Sequence, residues 1–155
     1  MDFRISGLPR ADFAALFGMS DAELSARSAV RLYADRSPGF PCRVSLRDAE
    51  PGASVLLVNY EHLAVASPYR SRYAIYVREN AREMRPEPNE IPPVLQGRLL
   101  SLRAFDADGM LRAAEVAQEQ EFSATIRRLL GPPHVAYLHV HNAKPGCYAA
   151  RVDRA

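Results

Sequence analysis

Apolar and polar residues alternate with a period of two along most of the chain, a pattern typical of half-buried β-strands. The segment 55–60 is nearly all apolar and is therefore expected at the centre of a sheet. Turn-forming residues separate the segments, most clearly at 106–109, where a glycine after an aspartate favours a hairpin. The pattern predicts strands near residues 3–5, 30–35, 42–47, 55–60, 73–78, 96–105 and 110–117, and two final strands, 135–142 and one that ends near 154.

The period changes to about 3.6 in one long segment, residues 119–130, which is predicted to be an amphipathic helix. Acidic residues at its start and arginines at its end suit the helix dipole, and Gly131 with two following prolines ends it. Two short helices are predicted near the N-terminus, over residues 10–17 and 20–26, the second with the spacing of a capping box. The apolar face of the long helix carries Phe122, Ile126, Leu129 and Leu130.

These elements define the expected fold class. A series of strands without regularly alternating helices favours an α+β domain over a doubly wound α/β fold. We expect a mainly antiparallel sheet, with the helix 119–130 packed on one face and the short N-terminal helices at an edge. The length suits one domain, residues 1–155, that buries enough surface to fold without disulfides.

Composition narrows the class of protein. The chain is 48% hydrophobic and 25% charged, as in ordinary globular proteins, and no run of residues is apolar for long enough to span a membrane. The first residues do not have the pattern of a secretory signal. We therefore expect a cytoplasmic protein in which Cys42 and Cys147 are reduced.

The charge distribution bears on possible partners. The net charge is +2, and of the 20 basic residues only Lys144 is a lysine. The arginines are scattered among acidic residues instead of forming the basic stripe that binds nucleic acid. We expect neither a nucleic-acid nor a membrane partner.

The side chains best suited to catalysis or ligand binding are concentrated in the segment 139–148, which contains His139, His141, Asn142 and Cys147. Regular alternation in the strand that leads into it places both imidazoles on one face and Asn142 on the other. The two histidine Cβ atoms are then about 6.5 to 7 Å apart, or two strand rises. That separation is close enough to share a metal ion, a phosphate or a carboxylate.

The position of Cys147 relative to the histidines depends on the register of the last hairpin. Pairing of Asn142 with Cys147 leaves the thiol on the face opposite the histidines. The same register pairs His139 with Ala150. A slip of one residue pairs His141 with Cys147 instead and places a base beside the thiol. Both registers are compatible with the sequence.

Several segments resemble a known family. They are 38–46 (PGFPCRVSL), 67–70 (SPYR), 139–143 (HVHNA) and 146–149 (GCYA). With the chain length, they resemble the bacterial family catalogued as domain of unknown function 1203. The resemblance covers nearly the whole chain and implies a small bacterial protein without an assigned reaction. It transfers no catalytic residue to this chain.

Three hypotheses for function follow. The first is a polar pocket that binds or processes a small anionic molecule. Its catalytic candidates are His139, His141 and Cys147. Its ligand-binding candidates are Arg43, Tyr69, Arg70 and Asn142. We expect the working surface where the histidines and Asn142 meet the loop around Tyr69 and Arg70.

The second hypothesis is a metal site, in which His62, Cys42 or an acid completes the pair formed by His139 and His141. No third ligand is spaced close to the pair in sequence. The third hypothesis is a non-catalytic module for an anion or a partner protein. It relies on arginines that converge on the histidine face, namely Arg43, Arg70 and Arg78.

Overall fold

The fold consists of eight strands, two α-helices and three short 3-10 helices. A computed structural model describes residues 1–155. In chain order the elements are β1 (Phe3–Ser6), 3-10 helices at Arg10–Asp12 and Ala14–Leu16, α1 (Asp21–Ser25), β2 (Ala29–Tyr33), β3 (Ser54–Leu63), β4 (Ser71–Arg78), a 3-10 helix at Pro93–Leu95, β5 (Leu100–Phe105), β6 (Leu111–Ala117), α2 (Glu119–Leu130), β7 (Tyr137–Asn142) and β8 (Tyr148–Arg154). The strands pair in an antiparallel manner in two sheets, so the predicted α+β class, mostly sheet, is confirmed.

The larger sheet has the strand order β1-β8-β7-β5-β6 and carries α2 on one face. Leu138 and Val140 of β7 join Phe122 and Ile126 of α2 in a buried cluster of 19 hydrophobic residues. Helix α2 covers the predicted residues because its apolar positions form one face, and Gly131 is its C-cap. None of the helices is both long and apolar enough to cross a membrane.

The smaller sheet, with the strand order β2-β3-β4, packs against the other face of the larger sheet. Ile75 and Val77 of β4 share a buried cluster with Tyr148 of β8. Leu63 of β3 packs with Phe105 of β5. Strand β3 is the central strand, as its apolar run predicts. The larger sheet therefore lies between a helix and a second sheet.

The predicted strand at 42–47 is wrong. Only isolated β-bridges form near it, and the amide N of Leu46 donates to the carbonyl of Cys42 at 3.1 Å, which closes a turn. Arg43 alternates with Cys42 and Val44 in the sequence but is as buried as they are. Alternation predicts a strand with one exposed face, whereas the three consecutive residues 42–44 are all buried, so tertiary packing overrides the local pattern.

The predicted helix over residues 10–17 forms as two 3-10 turns instead of one α-helix. Phe13 separates the turns, with a φ of −122° and a ψ of −14°. Its ring is buried against Tyr60 at a centroid distance of 5.1 Å, so the break between the turns coincides with a core contact. The second predicted helix is confirmed as α1, in which the Ser20 and Glu23 side chains each accept from the other residue's backbone N–H.

Candidate functional site

The last hairpin adopts the first of the two predicted registers next to its loop. The amide N of Asn142 donates to the carbonyl of Cys147 at 2.9 Å, and His141 lies opposite Tyr148. The residues then separate by face, because Asn142 and Cys147 line one cavity and His141 lines another.

A β-bulge interrupts the hairpin just beyond His141. Ala149 is an extra residue in β8, so Val140 pairs with Ala150 and His139 pairs with Arg151. The expected pairing of His139 with Ala150 is therefore wrong. The faces of β7 are unchanged, because the bulge lies in the partner strand.

A cleft of about 240 Å³ opens between the two sheets, and we call it the histidine cleft. Strands β3 and β4 of the smaller sheet and β5, β6 and β7 of the larger sheet contribute to it. No acidic residue lines it, and four of its side chains are apolar. The others are His62, Tyr69, Ser71, Arg103, His139 and His141.

The three imidazoles of this cleft form one cluster. The ring centroid of His62 is 5.1 Å from that of His141 and 6.2 Å from that of His139. His139 and His141 are 6.3 Å apart by the same measure. The ring of Tyr148 stacks on His62 at 5.4 Å. Since His139 and His141 are 3% and 2% exposed, the cluster is part of the contact between the sheets.

Burial keeps all three imidazoles neutral. The pKa of His139 falls to about 3, chiefly because of burial and in smaller part because of His141 and His62. The pKa values of His62 and His141 both fall to about 4, again chiefly because of burial. The nearby guanidinium of Arg103 adds to each shift. At neutral pH each ring therefore has one N–H group and one bare nitrogen.

The nitrogens of these rings are only partly satisfied. His141 Nδ1 lies 2.9 Å from the carbonyl of Gly146. Because a carbonyl only accepts, this nitrogen carries the proton and Nε2 of His141 is an acceptor. The Nδ1 atoms of His62 and His139 are enclosed and have no hydrogen-bond partner. A buried polar group without a partner costs about 1 to 3 kcal/mol, a cost that packing alone does not explain.

His62 supplies the third imidazole that the metal hypothesis required. However, no group of three histidine, cysteine, aspartate or glutamate residues is arranged so that it could hold a metal ion. Arg103 also lies on the cleft, and no carboxylate there offsets its charge. The electrostatics of the cleft therefore favour an anion over a cation.

A larger cavity of about 590 Å³ lies beside the loop between β7 and β8, and we call it the Arg43 cavity. Arg43 is only 1% exposed. Its Nε donates to the carbonyl of Tyr148 at 2.6 Å, and its Nη1 donates to the carbonyl of Pro41. Burial lowers the pKa of the Arg43 guanidinium, and Cys147 acts in the opposite direction. The other polar side chains of the lining are Tyr76, Arg98, Asn142, Lys144 and Cys147.

Cys147 is the thiol on the wall of this cavity. Its Sγ accepts from Arg43 Nη2 at 3.0 Å and from Asn142 Nδ2 at 3.5 Å. Its hydrogen-bond partners do not include a histidine, so the group beside the thiol is a guanidinium instead of an imidazole. Cys42 is also a free thiol, but it is fully buried.

The structure divides the predicted site residues between two places. The histidine cleft is lined by His139, His141 and Tyr69. The Arg43 cavity is lined by Arg43, Asn142 and Cys147. The expected single surface is therefore not assembled, because alternation along β7 sends Asn142 to the other face.

Two of the predicted arginines lie outside both places. The side chain of Arg70 is 60% exposed and forms an ion pair with Glu61. Arg78 donates to the carbonyl of Glu79 at 3.5 Å. Neither arginine lines the cleft or the cavity, so they do not converge on the histidine face.

Sequence reasoning missed Arg103 as a site residue. Arg103 lies directly opposite His139 in the pairing of β5 with β7. Knowledge of that pairing would have placed it on the histidine face, but the pairing joins strands that are distant in sequence. Arg98 of the Arg43 cavity was missed because only the fold brings it to that loop, whereas Lys144 lies within the segment 139–148 but was not predicted as a ligand-binding residue.

The fold and its cavities define an α+β protein of two antiparallel sheets and one packed helix, with basic residues and a thiol at the larger cavity. A family model described as "Protein of unknown function (DUF1203)" matches residues 39–154, and the protein belongs to that family. The match includes every residue that lines the two cavities. No curated protein and no solved structure gives a significant match to the chain.

Proposed function

We propose that the protein binds a small anionic molecule in the Arg43 cavity. The observation that carries this proposal is Arg43, a buried cation without a carboxylate partner on the wall of the cavity. Burial of an unpaired charge is costly, and proteins usually place an opposite charge beside it. The hydrogen bonds of Arg43 go to two carbonyls and a thiol instead.

Two further cations border the same cavity. Arg98 forms a two-pronged pair with Asp48, at 2.8 and 3.1 Å, so its charge is compensated. Lys144 is exposed and belongs to no ion pair. No acid lines the cavity. The balance of charge is positive, and it favours an anionic ligand.

Cys147 lies among these cations and is more exposed than Cys42. Cys147 therefore borders the proposed site and can report on it, whereas catalytic roles for Cys147, His139 and His141 stay predictions.

The proposal is tested by the rate at which two reagents of similar size alkylate Cys147 in the native protein. Iodoacetate is negatively charged, and iodoacetamide is neutral. Because a positive cavity concentrates anions, the iodoacetate-to-iodoacetamide rate ratio of Cys147 is expected to exceed that of free cysteine by about tenfold at low ionic strength. Peptide mass spectrometry distinguishes Cys147 from Cys42.

Two variants and a competitor sharpen this test. Lys144→Gln is expected to lower the rate ratio, whereas Arg82→Gln removes an exposed arginine that lines neither cavity and should leave it unchanged. Inorganic phosphate is expected to slow alkylation by iodoacetamide, because it would occupy the cavity. A wild-type rate ratio equal to that of free cysteine would contradict the proposal.

A further inference from the structure

We infer that the histidine cleft is a second site, which binds the carboxylate of a small and largely apolar acid. Arg103, His62 and His139 would hold the carboxylate, and the apolar walls would hold the rest of the molecule. The inference does not depend on the proposed function, because the cleft and the Arg43 cavity share no lining residue.

Arg103 provides the charge of this site. Its side chain takes part in none of the ion pairs of the structure, and no acid lines the cleft. Burial lowers the pKa of Arg103, which is the effect of removing a guanidinium from water without a counter-ion. A carboxylate matches the fork of a guanidinium and would supply that counter-ion.

His139 and His62 supply hydrogen-bond donors to this site. Their Nδ1 atoms are enclosed by protein, so a ligand in the cleft reaches these neutral rings at Nε2. In the tautomer with the proton on Nε2, that N–H group donates to an anion. The two rings therefore offer such donors beside Arg103.

His141 restricts the position of the carboxylate. Its Nδ1–H is held by the carbonyl of Gly146, so its Nε2 has a lone pair and repels a carboxylate oxygen. The carboxylate therefore belongs on the side of the cleft where Arg103 and His139 lie opposite each other in the sheet.

The walls and the size of the cleft define the rest of the ligand. Leu63, Phe105 and Leu111 are apolar, and the ring of Tyr69 meets that of Phe105 edge to face at 6.3 Å. The volume of about 240 Å³ lies below the range of about 300 to 1,000 Å³ in which drug-sized ligands bind. A small aromatic acid fits this description, because its ring would extend the aromatic cluster.

Benzoate is the probe for this inference, and benzamide is its neutral counterpart. Calorimetric titration of the full chain is expected to show benzoate binding, with the affinity reduced at least about tenfold in Arg103→Gln and for benzamide. Arg82→Gln, the matched control, is expected to keep the wild-type affinity. Lys144→Gln is expected to keep it as well, because Lys144 belongs to the other cavity.

A second readout needs no variant and therefore does not depend on the folding of Arg103→Gln. In the wild-type protein, benzoate is expected to shift the imidazole NMR signals of His62 and His139 but not those of His134, which is exposed. The inference is overturned if benzoate at millimolar concentration does not bind, if benzamide binds as tightly, or if these signals do not move. It is also overturned if Lys144→Gln removes binding, which would place benzoate in the Arg43 cavity.

Discussion

The two faces of β7 differ in chemistry although their residues alternate in one short sequence. Leu138 and Val140 pack under α2 among aliphatic side chains. His139 and His141 face the smaller sheet, where a cleft lies beside them and imidazole nitrogens lack partners. A helix closes its face of the sheet with apolar side chains, whereas the second sheet leaves the polar histidine cleft between the two sheets. The helix face therefore provides stability under α2, and the other face contains the histidine cleft.

The largest expected effect lies on the helix face. Ile126 is 0% exposed in the cluster beneath α2. Ile126→Asp is expected to unfold the protein, because an unpaired buried charge costs several kcal/mol against a total stability of roughly 5 to 15 kcal/mol. Circular dichroism melting measures the effect.

Ala124→Asp is the matched control, because Ala124 is an exposed residue of the same helix. We expect it to cost less than about 1 kcal/mol, mainly through helix propensity. If Ile126→Asp melts like the wild type, the assignment of the helix face to stability is wrong.

The histidine face should make stability depend on pH. The folded-state pKa of His139 is about 3, below the ordinary value of 6.5, so the unfolded chain binds more protons between these values. The free energy of unfolding is therefore expected to fall as the pH is lowered from about 6.5, by at most about 1.4 kcal/mol per pH unit for each such histidine.

His139→Phe keeps a ring in the cluster and removes the titrating group. Urea unfolding between pH 7 and pH 5, above the range in which most carboxylates titrate, is expected to show a shallower pH dependence for His139→Phe than for the wild type. His134→Gln, at an exposed histidine, should keep the wild-type dependence. If the free energy of unfolding depends on pH equally in His139→Phe and in the wild type, protonation of His139 does not contribute to that dependence.

A smaller loss is expected when the buried cation is removed. Arg43→Met leaves the carbonyls of Tyr148 and Pro41 without their donor, which should cost about 1 to 3 kcal/mol in urea unfolding. The same variant should slow the alkylation of Cys147 by iodoacetate, because the Nη2 contact to the sulfur is lost. If Arg43→Met is as stable as the wild type and its Cys147 is alkylated as fast, Arg43 contributes only packing at this position.

The smallest effect is expected at the exposed pair of Arg70 with Glu61. Arg70→Ala should leave the melting temperature unchanged within error, since exposed ion pairs contribute little. Benzoate binding in the histidine cleft should also be unchanged, because Arg70 does not line it. A clear drop in melting temperature would contradict the small contribution expected of the ion pair. A clear loss of benzoate binding would show that Arg70 belongs to the site.

Local features explain which elements were predictable. Helix α2 has its apolar face, its charged ends and its C-cap glycine within one segment, so the sequence determined its bounds. The capping box of α1 is equally local. The faces of β7 followed from alternation, and β3 followed from its apolar run.

The remaining features depend on contacts between distant residues. The segment 42–47 alternates like a strand, but it forms a turn in which Arg43 is as buried as Cys42 and Val44. The bulge at Ala149 leaves no pattern in the sequence, so the pairing of His139 could not be predicted. His62 reaches the other imidazoles only because the two sheets pack face to face.

Tyr148 contacts one residue of each candidate site with a different part of its structure. Its carbonyl accepts from Arg43, and its ring stacks on His62. In evolutionary terms, no residue lines both sites, so substitutions can tune one without altering the other. An insertion or deletion near Tyr148, by contrast, would change both sites at once.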